Sequence, residues 1–223
     1  VDVTPAAAER VSIARRVTRF FSLDIVALPK ASPRLPSPPH SLQSGPTMSH
    51  TPTARPIINL DEVTIEDRPL MFRAQGAAAE RFASRTGMVG TRIGARLLGY
   101  NITAVPPGKR AFPLHNHHAN EEMFFVLEGR GELRVGAQRH PLRQGDIVAC
   151  PPGGPELAHQ IVNTGDTELK YLAVSTMQMP EVVEYPDSGK LACLSRQTQP
   201  DGTPRMVRHI ARPGDAVDYW DGE

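Results

Sequence analysis

The sequence predicts an all-β protein built from antiparallel strands, arranged as a sandwich or a barrel. From Arg92 onward, short apolar stretches alternate at regular intervals with turns rich in Gly, Pro and Asn, a pattern typical of these folds. No sustained helical period occurs in the centre of this region. Hydrophobic residues make up 39% of the chain and charged residues 22%, as in an ordinary globular protein. The 223 residues leave room for one domain and an extension.

Seven strands are predicted in order, at residues 93–105, 111–117, 122–127, 132–135, 146–150, 160–163 and 169–177. Alanines favour a helix at residues 76–85, before the first strand. After the last strand, a turn at residues 186–189 leads into a predicted strand at 191–194. Residues 217–221 alternate like an edge strand, and we expect Tyr219 and Trp220 to cover the barrel or meet a second subunit.

The N-terminal quarter differs in composition from the rest of the chain. Residues 29–56 contain eight prolines and no Asp or Glu, which predicts a linker or a disordered tail. The first methionine is Met48, and we predict that it is the natural start, with residues 1–47 as upstream sequence. Residues 1–47 carry a net charge of +3, which leaves −2 for residues 48–223. We therefore predict a disordered or non-native extension at 1–56 and a single domain at 57–223.

Several classes of function are disfavoured by composition. The net charge of +1 gives no nucleic-acid signature, and no apolar run approaches the length of a membrane-spanning helix. The two cysteines, Cys150 and Cys193, are too few for a disulfide framework. We predict a cytoplasmic protein with reduced thiols and with no nucleic-acid or membrane partner.

Four residues have the types and spacing of metal ligands. His115 and His117 are separated by one residue on a predicted strand, so both side chains leave the same face. Glu122 begins the next apolar segment, and His159 opens a later strand. His118 and Glu121 are the neighbours that would substitute for a named ligand, but strand parity and spacing favour His117 and Glu122, which leaves the neighbours at the rim. The pattern predicts one metal site whose ligands come from three neighbouring strands.

The arrangement around these residues resembles the two motifs of the cupin superfamily. The motifs read Gly108-x6-His115-x-His117-x4-Glu122-x6-Gly129 and Gly145-x5-Pro151-x-Gly153-x5-His159-x3-Asn163. The resemblance implies a double-stranded β-helix, or jelly-roll barrel, with its core motifs at residues 108–163. It also implies a divalent transition metal (Mn, Fe, Zn or Ni) held by His115, His117, Glu122 and His159. A loop at 154–158 that is longer than the family pattern predicts a reshaped barrel mouth.

Three functions remain open at this stage. An extended loop at 151–155 and the segment 185–190 make the chain similar to proteins labelled sugar-phosphate isomerase-like, which implies a metal-dependent isomerase acting on a small molecule. The same ligand set on Fe(II) suits a dioxygenase. A non-enzymatic module that binds a metal or a small ligand is the third reading.

Further residues are candidates for the substrate pocket. A phosphosugar pocket needs converging cations, and the predicted strands and their edges offer Arg92, Arg96, Arg110, Arg134 and Lys170. Tyr100 and Tyr171 are candidates for a catalytic base or for packing. Residues 123–127 are apolar on both strand faces, which predicts a covered outer face and a homodimer.

Overall fold

The structure, a computed structural model, describes residues 55–223. The predicted tail and the Met48 start therefore lie, but for residues 55 and 56, outside the described residues. Within these residues there is no α-helix, and none of the helical turns is long and apolar enough to cross a membrane. The 3-10 turns are Leu60–Glu62, Leu70–Phe72, Gly76–Ala78, Gly90–Ile93, Pro155–Leu157, Pro186–Ser188 and Pro213–Asp215.

Strands provide the remaining regular structure, which confirms the all-β prediction. They are β1 (Glu66–Asp67), β2 (Arg85–Met88), β3 (Leu98–Val105), β4 (Asn116–His117), β5 (Glu122–Glu128), β6 (Arg130–Val135), β7 (Gln138–Arg143), β8 (Ile147–Cys150), β9 (His159–Val162), β10 (Leu169–Thr176), β11 (Glu181–Tyr185), β12 (Lys190–Thr198) and β13 (Pro204–Ala211).

Three antiparallel sheets arrange these strands. One sheet has the order β1-β2-β3-β10-β5-β8, a second β13-β12-β11-β4, and a third β7-β6-β9. Strand β10 lies centrally, with Leu172 opposite both Ile102 and Phe125. An isolated bridge between His115, just before β4, and His159, the first residue of β9, links the second sheet to the third. This arrangement is a double-stranded β-helix, the jelly-roll barrel.

The barrel core forms because successive side chains of a strand point to opposite faces, so that every second residue is buried. On β5, Phe124 and Val126 are buried while their neighbours are half-buried. The main core cluster joins the six-stranded sheet to the three-stranded sheet, and its members are Val105, Ala111, Phe124, Val126, Leu133, Leu142, Val148, Cys150, Ile161, Leu169 and Tyr171. The two sheets therefore face each other across one apolar interior.

The outer face of β5 is covered by the chain itself. Leu127 and Leu172 pack against a second cluster formed by Val63, Val89 and Ile102. The apolar outer positions that predicted a homodimer thus have, in part, an intrachain explanation. The homodimer itself stays a prediction.

Some strand and helix predictions are wrong. The helix predicted at 76–85 is a single 3-10 turn, Gly76–Ala78, followed by the start of β2. The edge strand predicted at 217–221 is a turn, and Tyr219 and Trp220 are 82% and 72% exposed rather than covering the barrel. In the first segment, Arg81 and Ala83 exchange backbone hydrogen bonds with Arg110, and these tertiary contacts override the helix propensity of the alanines. In the second, no strand among the described residues pairs with 217–221.

A turn glycine sets the end of strand β5 opposite to Glu122. Gly129 separates β5 from β6 with a φ of +84°, and a Cβ there would lie 2.6 Å from the backbone oxygen of Glu168. Glycine is therefore required both by the left-handed backbone and by the close approach. This tight turn aligns β5, which carries Glu122 at its other end.

Candidate metal centre

Backbone pairing brings the four predicted ligands to one end of the barrel. His115 and His159 form two backbone hydrogen bonds, with N···O distances of 3.2 and 2.7 Å. His117 ends β4, and Glu122 begins β5. We call His115, His117, Glu122 and His159 the histidine–glutamate cluster. Each member is placed by the register of a strand or of a bridge rather than by a free loop.

The three imidazoles converge on one carboxylate oxygen. Glu122 Oε2 lies 2.9 Å from His159 Nε2, 3.5 Å from His117 Nε2 and 3.8 Å from His115 Nε2. One potential ligand atom from each of His115, His117 and Glu122 lies within 4.8 Å of the other two. His159 joins the cluster through its hydrogen bond to Glu122. The structure therefore brings all four predicted residues together.

The orientation of His115 leaves one ring nitrogen available. Its Nδ1 lies 2.9 Å from the carbonyl oxygen of Pro113, so Nδ1 carries the proton and donates to that oxygen. The Nε2 lone pair then faces the cluster. This is the tautomer that a metal ligand needs, fixed by a backbone group.

Unsatisfied nitrogens test whether a cation fits. Both ring nitrogens of His117 and Nδ1 of His159 are buried without a hydrogen-bond partner among the described residues. The 3.5 Å from His117 Nε2 to Glu122 is longer than an ordinary N–H···O hydrogen bond. Buried polar atoms normally have partners. Nitrogen and oxygen donors around an orphaned imidazole nitrogen fit a divalent transition metal.

Electrostatics keep His115 and Glu122 in their ligand forms. Burial, together with the neighbouring His159, lowers the pKa of His115 to about 4. Burial alone would raise the pKa of Glu122, but the adjacent imidazoles of His117 and His159 hold it far below its usual range. Burial alone would lower the pKa of His117, but the Glu122 carboxylate raises it above its ordinary value. At neutral pH the cluster thus offers a charged carboxylate and a neutral His115.

Residues 101–175 match the family described as Cupin domain. We refer to these matched residues as the cupin domain. The match covers about a third of the chain and includes the whole histidine–glutamate cluster. The resemblance predicted from the two motifs is therefore confirmed.

Two curated proteins are similar to part of the chain. An uncharacterized protein of Methanocaldococcus jannaschii is 37% identical over 71 residues, which are 32% of this chain and 54% of that protein. An oxalate-binding protein of Thermotoga maritima is 34% identical over 70 residues, 31% of this chain and 54% of that protein. The chain thus spans about half the length of the curated relatives it matches.

A solved structure extends the likeness beyond the cupin domain. A sugar phosphate isomerase from a cupin superfamily, from Silicibacter pomeroyi, is 24% identical and has a TM-score of 0.59. The match covers 74% of this chain and 98% of that chain. The likeness shows that the two proteins share a fold.

Glu181 lies behind the cupin domain's His117 and was missed in the sequence. It is 2% exposed, and its carboxylate accepts hydrogen bonds from the backbone N–H groups of His118, Ala119 and Asn120 at 3.0, 3.2 and 3.0 Å. Its Oε2 also lies 3.8 Å from His117 Nδ1. A carboxylate beside the outer nitrogen of a ligating histidine orients that ring. The only sequence signal for this role was an acidic residue at the start of the apolar strand β11, which is far in sequence from both motifs.

The rim residues take the places predicted for them. His118 Nε2 lies 2.7 Å from Glu184 Oε1, and Glu121 is exposed, so neither side chain joins the cluster. Asn163, the last residue of the second motif, is fully buried. Its amide hydrogen-bonds the backbone of Val105, Thr167 and Gly165, so it ties loops together rather than ligating.

A cavity of about 760 Å³ lies next to the histidine–glutamate cluster but is not lined by it. Phe112, Pro113 and Leu114, which immediately precede His115, form one wall. We call this space the basic cavity, because six cationic residues line it: Arg68, Arg73, Arg81, Arg85, Lys190 and Arg208. Its size is in the range of small-molecule sites.

The cations predicted for a substrate pocket do not line the basic cavity. Arg134 pairs with Asp187 at 2.8 Å, and Lys170 pairs with Glu128 at 2.9 Å. Arg92, Arg96 and Arg110 are also absent from the wall. Tyr171, a candidate base, is a buried core residue, and burial raises the pKa of its phenol. The lining cations come instead from segments before and after the cupin domain.

Proposed function

We propose that this protein holds a divalent transition metal in the histidine–glutamate cluster and acts there on a small molecule. The observation that carries the proposal is the convergence of three imidazoles on Glu122 Oε2, with His117 left without a hydrogen-bond partner inside the described residues. Four buried or half-buried donors are costly without a cation to bind. The donor set suits Mn, Fe, Zn or Ni.

The chain's own residues would organise such a centre. Pro113 fixes the His115 tautomer, and Glu181 faces the outer nitrogen of His117. Glu122 supplies the negative charge that balances the cation. When bound, the metal would act as a Lewis acid toward substrate oxygens. The protein's part is to fix the ligands before the ion arrives, which lowers the cost of binding it.

Among reactions, we propose a sugar-phosphate isomerase-like conversion of a compound with adjacent hydroxyl and carbonyl groups. The nearby basic cavity has the size and charge to seat a phosphorylated compound of this kind. Fe(II)-dependent dioxygenation is the alternative that the same ligands allow.

A non-enzymatic binding module is the second candidate, and one observation favours it. The relative that is 34% identical over 70 residues is named an oxalate-binding protein. A dicarboxylate is a metal chelator, so a metal in the histidine–glutamate cluster would suit such a ligand without turnover.

Elemental analysis by plasma mass spectrometry tests the metal proposal. The full chain, purified without chelator, is compared with the His115→Ala, His159→Ala double variant and with His118→Ala as a matched control. We expect near-stoichiometric metal in the wild type and in His118→Ala, and loss in the double variant. Circular dichroism checks that all three remain folded.

The result also separates the reactions. If iron is found, O₂ consumption is assayed next. If manganese, zinc or nickel is found, isomerisation of sugar phosphates is assayed. Bound metal without turnover in either assay supports the binding module. An absence of metal from the folded wild type, or its retention in the double variant, contradicts the proposed site.

A further inference from the structure

The charge of the basic cavity is not balanced by its own acids. Two carboxylates, Asp67 and Asp187, lie in the wall, and both are already paired. Asp67 contacts Arg73 at 3.4 Å, and Asp187 accepts two hydrogen bonds from Arg134 at 2.8 and 2.9 Å. The cavity's acids therefore do not neutralise its remaining cations.

Four lining cations have no acidic partner among residues 55–223, namely Arg68, Arg81, Lys190 and Arg208. By contrast, Arg85 in the same wall pairs with Glu168 at 2.6 Å. Burial lowers the pKa of the Arg68 guanidinium, as expected for a cation partly removed from water. Uncompensated cations gathered in a concave surface favour an anionic occupant.

Aromatic rings position two of these guanidinium groups. The guanidinium carbon of Arg68 lies 4.5 Å from the Phe112 ring centroid and 5.9 Å from that of Phe72. The guanidinium carbon of Arg208 lies 5.3 Å from the Phe72 centroid. Stacking on a ring leaves the N–H donors at the edge of the guanidinium plane free to bind an oxyanion. The rings also give the cavity apolar walls for a carbon skeleton.

The basic cavity lies next to the His115 side of the histidine–glutamate cluster. The Phe112 and His115 ring centroids are 6.2 Å apart, and Tyr185 stacks on His115 at 6.3 Å. Lys190 Nζ in turn lies 5.4 Å from the Tyr185 centroid. His115 therefore contacts Phe112, which lines the cavity, and Tyr185, whose ring lies under the cavity residue Lys190.

We propose that the basic cavity binds a small organic molecule through a phosphate or carboxylate group, which Arg68 and Arg208 hold with Lys190 nearby. The four unpaired cations lie outside residues 101–175, so this site is added to the cupin domain by its flanking segments. That the occupant is also the substrate of the metal centre rests on the proposed function. The binding site itself does not.

Calorimetric titration of the full chain tests this proposal with three matched probes: glycerol 3-phosphate, glycerate and neutral glycerol. Each is titrated into the wild type and into the Arg68→Gln, Arg208→Gln double variant. Arg205→Gln is the control, because Arg205 lies on β13 with Arg208 but does not line the cavity. We expect at least one anion to bind more tightly than glycerol, and to lose about ten-fold or more in affinity in the double variant but not in the control.

The tighter of the two anions identifies the oxyanion class. Equal affinity for the anions and glycerol overturns the proposal, as does equal binding of the anion by the double variant and the control. The His115→Ala, His159→Ala variant separates the two sites. Anion binding that persists in this metal-depleted variant supports the basic cavity whatever the fate of the metal proposal. If anion binding requires the metal and is unchanged by the arginine substitutions, the anion binds to the metal and the cavity proposal is overturned.

Discussion

The histidine–glutamate cluster and the basic cavity lie side by side but have opposite electrostatic designs. In the cluster, a single half-buried carboxylate is surrounded by imidazoles, and the preferred partner is a cation. In the cavity, cations stacked on rings lack acidic partners within the described residues, and the preferred partner is an anion. A metal-chelating substrate with an anionic group would satisfy both. On this proposal, segments outside the barrel would add selectivity for the anionic group.

The largest effect is expected at the carboxylate that defines the cluster. Glu122→Gln removes the negative charge on which the three imidazoles converge, while keeping the size of the side chain. We expect metal affinity to fall by more than about 100-fold, because loss of a ligand exceeds the loss from an outer residue. Competition with a chromophoric chelator measures this affinity.

Glu121→Gln is the matched control for that substitution, since Glu121 is adjacent and exposed. It should keep wild-type metal affinity. Glycerol 3-phosphate binding should survive in Glu122→Gln, because the basic cavity does not include Glu122. Equal metal affinity in the two variants would show that Glu122 is not a ligand.

A smaller effect is expected at Glu181, the buried carboxylate beside His117. Glu181→Gln places an amide where backbone N–H groups now donate, and removes the negative charge that lies 3.8 Å from Nδ1 of His117. Outer partners of this kind contribute about 10- to 100-fold to metal affinity. The same chelator competition applies, with circular dichroism to confirm folding.

Glu184→Gln provides the comparison, because Glu184 contacts His118 rather than a member of the cluster. Its metal affinity should match that of the wild type. If Glu184→Gln and folded Glu181→Gln retain metal equally well, Glu181 has a purely structural role in the 118–120 loop.

The same contrast explains what the sequence could reveal. His115, His117 and Glu122 lie within eight positions, and strand periodicity alone places the two histidines on one face. The basic cavity joins Arg68, Phe112 and Arg208, whose proximity depends on how flanking segments pack on the barrel. No local period encodes that packing. Glu181 was missed for the same reason, since its partners lie about sixty residues earlier.

Errors in the fold follow the same rule. Strand β5 was predicted from its apolar run. Strands β7 and β13 were not predicted, because β7 is largely polar and the apolar residues of β13 do not alternate. Each of these two strands is held by backbone pairing with a neighbour. Pairing of this kind leaves little trace in hydrophobic periodicity.

Phe112 joins the two regions, and its substitution should have the smallest effect. Its ring stacks under the Arg68 guanidinium and lies beside His115. Phe112→Leu keeps an apolar side chain but removes the cation–π contact. We expect affinity for glycerol 3-phosphate or glycerate, whichever binds more tightly, to fall by about two- to five-fold. Metal content should stay unchanged, because the Pro113 carbonyl, not Phe112, fixes the His115 tautomer.

Calorimetry and elemental analysis on the same preparation check both parts, with Phe125→Leu on β5 as a control outside the cavity wall. A loss of metal in Phe112→Leu, with no loss in Phe125→Leu, would mean that the ring also positions His115. The two regions would then form one coupled site rather than two adjacent ones. Unchanged anion affinity would instead show that Arg68 is positioned without the help of this ring.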